Sequence, residues 1–533
     1  MRIVCTFILG GLLFAGCTGK RDSGKKIFRY NEYNGITTLD PAFARSQSIM
    51  WAVHQLYSTL VEVDDSMHIK PLLATHWEFN QDNTELTFHL RSDVWFHDDP
   101  CFPGSKGRNM VAADVLYSLQ RISNPKVASP GAWIFNGKID RITATDERTV
   151  KIKLLKPFQP VLGILTMQYC SIVPHEAIER YGNDFRRHPV GTGPFQFVAW
   201  EEGQALLMRR NPKYFEKDLL GNRLPFLDGI MVSFLDSRAT EFLELQTGRL
   251  DFINDVDPSF KDEVLTRTGK LKKEWEGRLV LQKHPYLNIE YLGILSDTLN
   301  PLLKLSPLRQ KKFRQAVHLS INKKRMMLYL RNSIGTAANS GFIPPGLPAF
   351  DSILLKGLEY NPEKAKQLLR QIVYNAASAP PVTLVTVPVY GNLATYVAND
   401  LQQAGINVKI EIVQKSLLLQ QMARSDVAFF RGSWIADYPD AENYLSVFYG
   451  KNPAPPNYTR FSSKLYDQLY ERAVSEATED KRIALYRSMD SIIVADVPVI
   501  PLWYDVVVRL VNPAVKNFVP NSLNMLELRR VRK

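Results

Sequence analysis

The sequence predicts an α/β fold made of two or three domains. Residues 382–385, 393–404 and 408–412 have the patterns of a strand, a helix and a strand in succession, which is the order of a parallel β-α-β unit. The chain has 533 residues, of which 45% are hydrophobic and 23% are charged. A chain of that length and composition can bury more than one core.

The first half of the chain is predicted to contain mostly strands. A short strand is expected at residues 27–30 and a helix at 47–60. Alternating apolar and polar residues at 77–79 and 85–90 predict a hairpin, and further strands are expected near 142–155 and 195–208. A turn of Gly191, Thr192, Gly193 and Pro194 is interpreted as a backbone device in which glycine permits positive φ.

The second half is predicted to mix helices with buried strands. Beyond residues 393–404, helices are expected at 308–322, 362–374 and 462–494. An apolar strand at 427–430 comes directly before a polar and aromatic segment. No repeat of solenoid period and no low-complexity tract interrupts the pattern.

The N-terminus has the pattern of a lipoprotein export signal. The apolar run 3–14 has the length of a signal-peptide core and is shorter than a membrane-spanning helix. Ala15 and Gly16 precede Cys17, whose thiol is the expected acylation site, and residues 18–26 form a polar tether. The alternative is a chance cysteine in a signal peptide that is not lipidated. The prediction is a protein exported to the cell envelope and lipid-anchored to a bacterial membrane.

The charge and the cysteines restrict the partners. The formal charge is +12, and Arg2 is the one charged residue among the first sixteen, so removing them leaves 12 − 1 = +11. The basic residues are spread along the chain without an arginine-rich block, and export separates the protein from nucleic acid, so we expect no nucleic-acid partner. Cys101 and Cys170 could form a disulfide or remain separate thiols.

No catalytic or cofactor motif is found in the sequence. The nine histidines include no two that are three to five residues apart, so a compact helical zinc motif is absent. Gly-x-Ser-x-Gly and phosphate-loop motifs are also absent. We therefore expect no metal, no cofactor and no enzymatic activity. The alternative of a catalytic triad assembled from residues distant in sequence stays open.

A series of ordered segments resembles the solute-binding proteins of peptide-type ABC transporters, the dipeptide- and oligopeptide-binding class. The resemblance runs from about residue 27 to the C-terminus and departs from the family pattern in a longer loop at 101–108. The matching segments are 38–41, 57–61, 96–99, 112–118, 191–195, 211–215, 313–317, 321–323, 360–365, 434–440 and 498–502.

The segment from Arg431 to Asp440 combines a cation, aromatic side chains and carboxylates. The resemblance implies that Asp437 holds the α-amino group of a peptide and that Arg431 meets a ligand carboxylate. Ligand backbone would pair near Ser433 and Ile435, and Trp434 would form a wall of the pocket. Arg45, which could face the same cleft from the other lobe, completes the set of six candidates: Asp437, Arg431, Trp434, Ser433, Ile435 and Arg45.

The alternative for this segment is purely structural. In that interpretation Asp437 and Asp440 cap a turn or the helix expected at 441–449, Trp434 is a core residue, and Arg431 is a solvated or structural partner. Asp440 is interpreted as a cap in either case.

The resemblance also implies a two-lobed periplasmic-binding-protein clamp with a strand hinge near 286–292 and 499–504. After a signal peptide (1–16) and a tether (17–26), lobe I would comprise 27–56, 187–285 and 501–533. An additional subdomain would span 57–186, and lobe II would span 286–500. The expected function is that of a monomeric receptor that captures peptides and delivers them to an ABC permease. A receptor of the same fold for an oligosaccharide or metal chelate and an envelope hydrolase are the alternatives.

Overall fold

The computed structural model describes residues 24–353 and 359–533. The predicted export signal, Cys17 and most of the tether lie outside this range. The strands in chain order are β1 (Ile27–Asn31), β2 (Val61–Val63), β3 (Ile69–Pro71), β4 (Ala74–Phe79), β5 (Glu85–Leu90), β6 (Ile139–Ala144), β7 (Thr149–Leu154), β8 (Phe195–Glu201), β9 (Ala205–Arg210), β10 (Gly229–Ser233), β11 (Phe252–Asn254), β12 (Val280–Ile294), β13 (Thr336–Ala337), β14 (Val382–Thr386), β15 (Val408–Ile412), β16 (Phe429–Ile435) and β17 (Val499–Val511).

The helices lie in the segments between these strands, singly or in succession. In chain order they are α1 (Gln47–Leu56), α2 (Ala112–Ser123), α3 (Val161–Ile164), α4 (His175–Tyr181), α5 (Arg238–Gln246), α6 (Pro258–Val264), α7 (Lys311–Ser320), α8 (Lys323–Arg331), α9 (Pro362–Gln371), α10 (Gly391–Gln403), α11 (Lys415–Arg424), α12 (Glu442–Leu445), α13 (Lys464–Ser475) and α14 (Glu479–Asp496).

One large sheet connects the two lobes of the clamp. Its strand order is β15-β14-β16-β12-β17-β11-β1-β10-β9-β8, with β13 added on β17. The long strands β12 and β17 pair antiparallel from Val280 and Val511 in lobe I to Gly293 and Val499 in lobe II. Their register shifts between Pro285 and Ile289, where the sequence predicts the hinge. The two-lobed α/β clamp with a strand hinge is confirmed.

Two smaller sheets form the additional subdomain. One has the strand order β4-β5-β7-β6, and the other pairs β2 with β3. Both sheets fall within residues 57–186, and the limits of the subdomain stay a prediction. The subdomain also reaches lobe II, because the Gln159 N–H donates to the Val474 carbonyl at 2.8 Å.

Several predicted elements are confirmed with altered ends. The β4–β5 hairpin and the parallel pairing of β14 with β15 are present. The regions near 142–155 and 195–208 are each antiparallel hairpins, β6–β7 and β8–β9. The single helix predicted at 462–494 was wrong, since α13 and α14 are separate. Helix α1 ends at Leu56 and not at residue 60, because Tyr57 adopts an extended conformation.

The explanation given for the glycine turn was also wrong. Gly191 and Gly193 are not among the described residues with positive φ. A Cβ at Gly191 would lie 2.2 Å from the Leu56 carbonyl oxygen, and a Cβ at Gly193 would lie 2.4 Å from the Leu56 carbonyl carbon. Glycine is required here because the turn passes directly against the end of α1.

The C-terminal segment is part of the lobe I core. Trp51 on α1 packs against Tyr30 and Phe252, and its indole N–H donates to the Asn524 carbonyl at 2.7 Å. Removing such a buried aromatic side chain costs about 3 to 5 kcal/mol. The packing ties the residues around Asn524 to the core of lobe I. Leu502, Trp503 and Tyr504 instead pack with the lobe II residues, so the boundary of the C-terminal part of lobe I at residue 501 stays a prediction.

Candidate functional site

Strand β16 offers an open backbone edge beside the hinge. The sequence predicted that this strand stops at residue 430, but it continues through Ile435. Over Arg431–Ile435 it pairs with β12 on one side, whereas β14 reaches only Phe429 and Phe430 on the other. Among the described residues, no further strand pairs with that second edge. An extended chain could therefore add to it by backbone hydrogen bonding.

The side chains of β16 alternate between the two faces of the sheet. Ser433 is exposed and Ile435 is 51% exposed, on the same face as Arg431. Trp434 points to the opposite face, where it packs against the lobe II core and donates its indole N–H to Asn443 Oδ1 at 2.9 Å. Trp434 therefore packs behind the strand. This position is compatible with the interpretation of Trp434 as a core residue and with its predicted role as a wall of the pocket.

Asp437 follows β16 and has no cationic partner among the described residues. Its one side-chain hydrogen bond is long: Asn443 Nδ2 donates to Oδ2 at 3.5 Å, while the Asp437 N–H donates to Asn443 Oδ1 at 3.3 Å. The carboxyl is accessible at the surface, yet the surrounding protein displaces enough water to raise its pKa, and the Asn443 contact opposes that shift. A ligand cation beside Asp437 would favour the ionised carboxylate and so offset the cost of this desolvation.

Tyr169 lies within electrostatic reach of both Asp437 and Arg45. Arg45 is exposed and makes no ion pair within the described part of the chain. Burial raises the pKa of the Tyr169 hydroxyl, the Asp437 carboxylate raises it further, and Arg45 lowers it. Both charges therefore act on the same hydroxyl. That Arg45 faces the same ligand as Asp437 stays a prediction.

Arg431 is already engaged in an internal ion pair. Its guanidinium donates to Glu290 on β12 and lies 3.5 Å from the centre of the Tyr390 ring. Burial raises the pKa of Glu290 to about 7, and Arg431 opposes that shift. A ligand carboxylate would have to compete with Glu290 for this arginine. The ligand-binding role of Arg431 stays a prediction.

The sequence reasoning missed several polar residues around the site. Beside Arg431, Arg331 pairs with Asp505 at 2.7 Å, and Asn288 donates to the same carboxylate at 3.0 Å. No sequence signal marks these residues, because they meet across distant segments. Asn443 could have been suspected, since it lies six residues after Asp437 at the start of the predicted helix.

The structure also bears on two other expectations, the capping role of Asp440 and the pairing of Cys101 with Cys170. Asp440 Oδ1 accepts the Glu442 N–H at 2.8 Å, so the side chain bonds the turn that leads into α12. The N-cap position of α12 is Ala441 and not Asp440, and it has no side-chain capping hydrogen bond. Cys101 and Cys170 are separate free thiols, which settles the alternative that the sequence left open.

One group of potential metal ligands is occupied by an arginine. Asp114, His175 and Glu176 place ligand atoms within 4.8 Å of one another. Arg108 donates to Asp114 at 2.6 Å and to Glu176 at 2.6 Å. Arg108 comes from the longer loop at 101–108, which is therefore tied to α2 and α4 by this arginine.

Comparisons with known proteins were made for the whole chain. A family model described as bacterial extracellular solute-binding proteins, family 5 Middle, matches residues 68–456. The dipeptide-binding protein DppE of Bacillus subtilis is 23% identical over 97% of this chain and 96% of its own length. Heme-binding protein A of Haemophilus influenzae is 27% identical over 87% of this chain and 84% of its own length.

Solved structures share the fold. The unliganded open form of the periplasmic murein tripeptide-binding protein MppA matches with a TM-score of 0.82 at 20% identity, covering 96% of this chain and 98% of its own. Within residues 24–353 and 359–533, no helix has both the length and the apolar character needed to cross a membrane.

Proposed function

The chain belongs to family 5 of the bacterial extracellular solute-binding proteins, and we propose that it is a receptor that captures peptides between its two lobes. In this proposal the receptor is anchored to the membrane through acylated Cys17. It delivers its ligand to an ABC-type import permease, which recognises the closed form.

The observation that carries the proposal is the carboxylate of Asp437 next to an open strand edge. Asp437 has no cationic partner among the described residues, and the backbone edge of Arg431–Ile435 has no second strand. A peptide supplies both missing partners, since its α-ammonium can pair with Asp437 and its extended backbone can bond near Ser433 and Ile435. Charge-assisted hydrogen bonds of this kind contribute about 1.5 to 3 kcal/mol.

The acidic group of the ligand, at the end away from the α-ammonium, has two candidate partners. Arg45 is exposed and unpaired among the described residues, whereas Arg431 is held by Glu290 and Tyr390. We infer that Arg45 binds an acidic group across the cleft at lower cost than Arg431 does, because no existing ion pair has to be broken.

A second candidate function is a receptor for a non-peptide solute such as an oligosaccharide or a metal chelate. The similarity to heme-binding protein A favours keeping this candidate. It predicts that the cleft binds its ligand without using the Asp437 charge. An envelope hydrolase is the third candidate, and it predicts that a bound peptide is cleaved.

Small-angle scattering with peptide separates these candidates. A peptide receptor should show a smaller radius of gyration when a short peptide is added, because the ligand stabilises the closed arrangement of the lobes. Mass spectrometry of the same sample should recover the peptide intact. Cleaved peptide would support the hydrolase, and an unchanged radius with every peptide of a random library would overturn the peptide proposal.

A further inference from the structure

Lobe II contains a long segment that is basic and free of acidic residues. Between Thr298 and Phe350 the sequence has nine Lys or Arg residues and no Asp or Glu. Several of these cations are used inside the fold: Lys311 pairs with Asp496, Arg325 pairs with Asp400, and Lys323 is buried. Lys304, Arg309 and Lys312 are exposed and make no ion pair within the described residues.

Three exposed leucines lie among these free cations. Leu299 is 90% exposed, Leu302 is 47% exposed and Leu305 is 80% exposed. Single exposed apolar residues are ordinary on protein surfaces, but three exposed leucines occur here within seven residues, and Leu302 and Leu305 line one groove together with Lys304. We call Leu299, Leu302, Leu305, Lys304, Arg309 and Lys312 the basic leucine patch.

The segment that carries the patch is held firmly. Leu303 and Leu308 are buried, so they anchor the loop while its other leucines face outward. Asn300 accepts the Leu302 N–H at 2.9 Å and donates to the Ser425 carbonyl at 3.1 Å, and Ser306 accepts the Leu308 N–H at 3.3 Å. The outward direction of the leucines is therefore fixed by the fold and is not the result of an unanchored loop.

We propose that the basic leucine patch docks lobe II onto an anionic lipid bilayer. Apolar side chains surrounded by Lys and Arg match the boundary between headgroups and acyl chains, where leucine is inserted and the cations meet lipid phosphates. Leu302, Lys304 and Leu305 also rim a groove of about 420 Å³ that contains Glu411 and Asp426. Because the carboxylates in the groove repel anionic lipid, the proposed contact is with the rim and not with this groove.

Docking would restrict the orientation of a receptor that works beside a membrane. The contact involves lobe II alone and leaves Asp437 and Arg45 unaffected. The inference is independent of the peptide proposal, since it depends on the surface of lobe II and not on the ligand.

Vesicle co-sedimentation tests the inference. The chain is expressed from Thr18, so that no acyl anchor contributes, and it keeps the whole described fold because every strand and helix begins at or after Ile27. Vesicles of neutral phosphatidylcholine are compared with vesicles that also contain anionic phosphatidylglycerol. We expect binding to the anionic vesicles that weakens as salt is added.

Two sets of substitutions probe the patch. Lys304→Gln, Arg309→Gln and Lys312→Gln together should lower the partition onto anionic vesicles about 100-fold, since each cation near an anionic surface is worth about fivefold. Leu299→Ser, Leu302→Ser and Leu305→Ser together should lower it at least tenfold.

The control is a pair of exposed leucines outside the basic leucine patch. Leu219 and Leu220 are highly exposed on lobe I beside Asp218, and replacing both with serine should leave binding unchanged. Circular dichroism checks that each variant is folded. If a triple variant does not fold, the single variant Lys304→Glu replaces it in the vesicle assay. Equal binding of wild type and patch variants, no binding to anionic vesicles, or binding only to purified permease would overturn the inference.

Discussion

Replacing Asp437 with asparagine should remove the recognition of a ligand ammonium while keeping the shape of the site. Two unit charges 4 Å apart interact by about 4 kcal/mol at an effective dielectric constant of 20. A charge-assisted hydrogen bond contributes about 1.5 to 3 kcal/mol. Because Asp437 is still accessible at the surface while it is already partly desolvated, we expect a loss of about 3 kcal/mol, or roughly 150-fold in affinity.

Calorimetry on four combinations tests this expectation. Wild type and Asp437→Asn are each titrated with a short peptide and with its N-acetylated form. Acetylation should weaken binding to wild type by about as much as the substitution does, and the variant should barely distinguish the two peptides. Glu411→Gln, which neutralises an exposed carboxylate on β15, is the matched control and should behave as wild type.

The reasoning is refuted if the losses from substitution and acetylation simply add. Additive losses would show that Asp437 does not contact the ammonium. The same losses in Glu411→Gln would indicate a general effect of net charge and not a specific contact.

Three further predictions concern the ligand carboxylate, the pH dependence of binding and the lipid anchor. Arg45→Gln should abolish the discrimination between free and amidated C-termini in calorimetry, whereas Arg431→Gln should retain it; the reverse result would assign the carboxylate to Arg431. Peptide affinity should fall as the pH drops through the raised pKa of Asp437, because the ligand binds the ionised carboxylate while its own ammonium stays protonated; a flat profile in wild type, matching that of Asp437→Asn, would contradict this. Cys17→Ser should abolish incorporation of radioactive fatty acid, and unlabelled wild type would disprove lipidation.

Most of the architecture could be predicted from the sequence because its strands and helices are marked by local patterns of apolar and polar residues. The alternation in β4 and β5 and the β-α-β order around α10 are local, and both are present. The end of α1 was misplaced because it depends on a tertiary contact. The Gly191 turn passes against Leu56 and fixes the chain there, a contact that no local pattern records.

The site was predicted in part. Asp437 and the neighbouring strand lie close in sequence, so one segment indicated them. The pairing of Arg431 with Glu290 joins residues that are 141 positions apart, and the approach of Tyr169 to Asp437 joins two different lobes. Such contacts depend on how the lobes meet, which residue order alone does not specify.

Mass spectrometry of the solute that co-purifies with the protein is the most direct test of the peptide-receptor proposal. The protein is purified without denaturant, and the solute is released by mild acid. We expect short peptides with a free N-terminus, and we expect Asp437→Asn to carry much less of them than wild type. Recovery of an oligosaccharide or a metal chelate as the sole solute, in equal amounts from wild type and variant, would contradict the proposal.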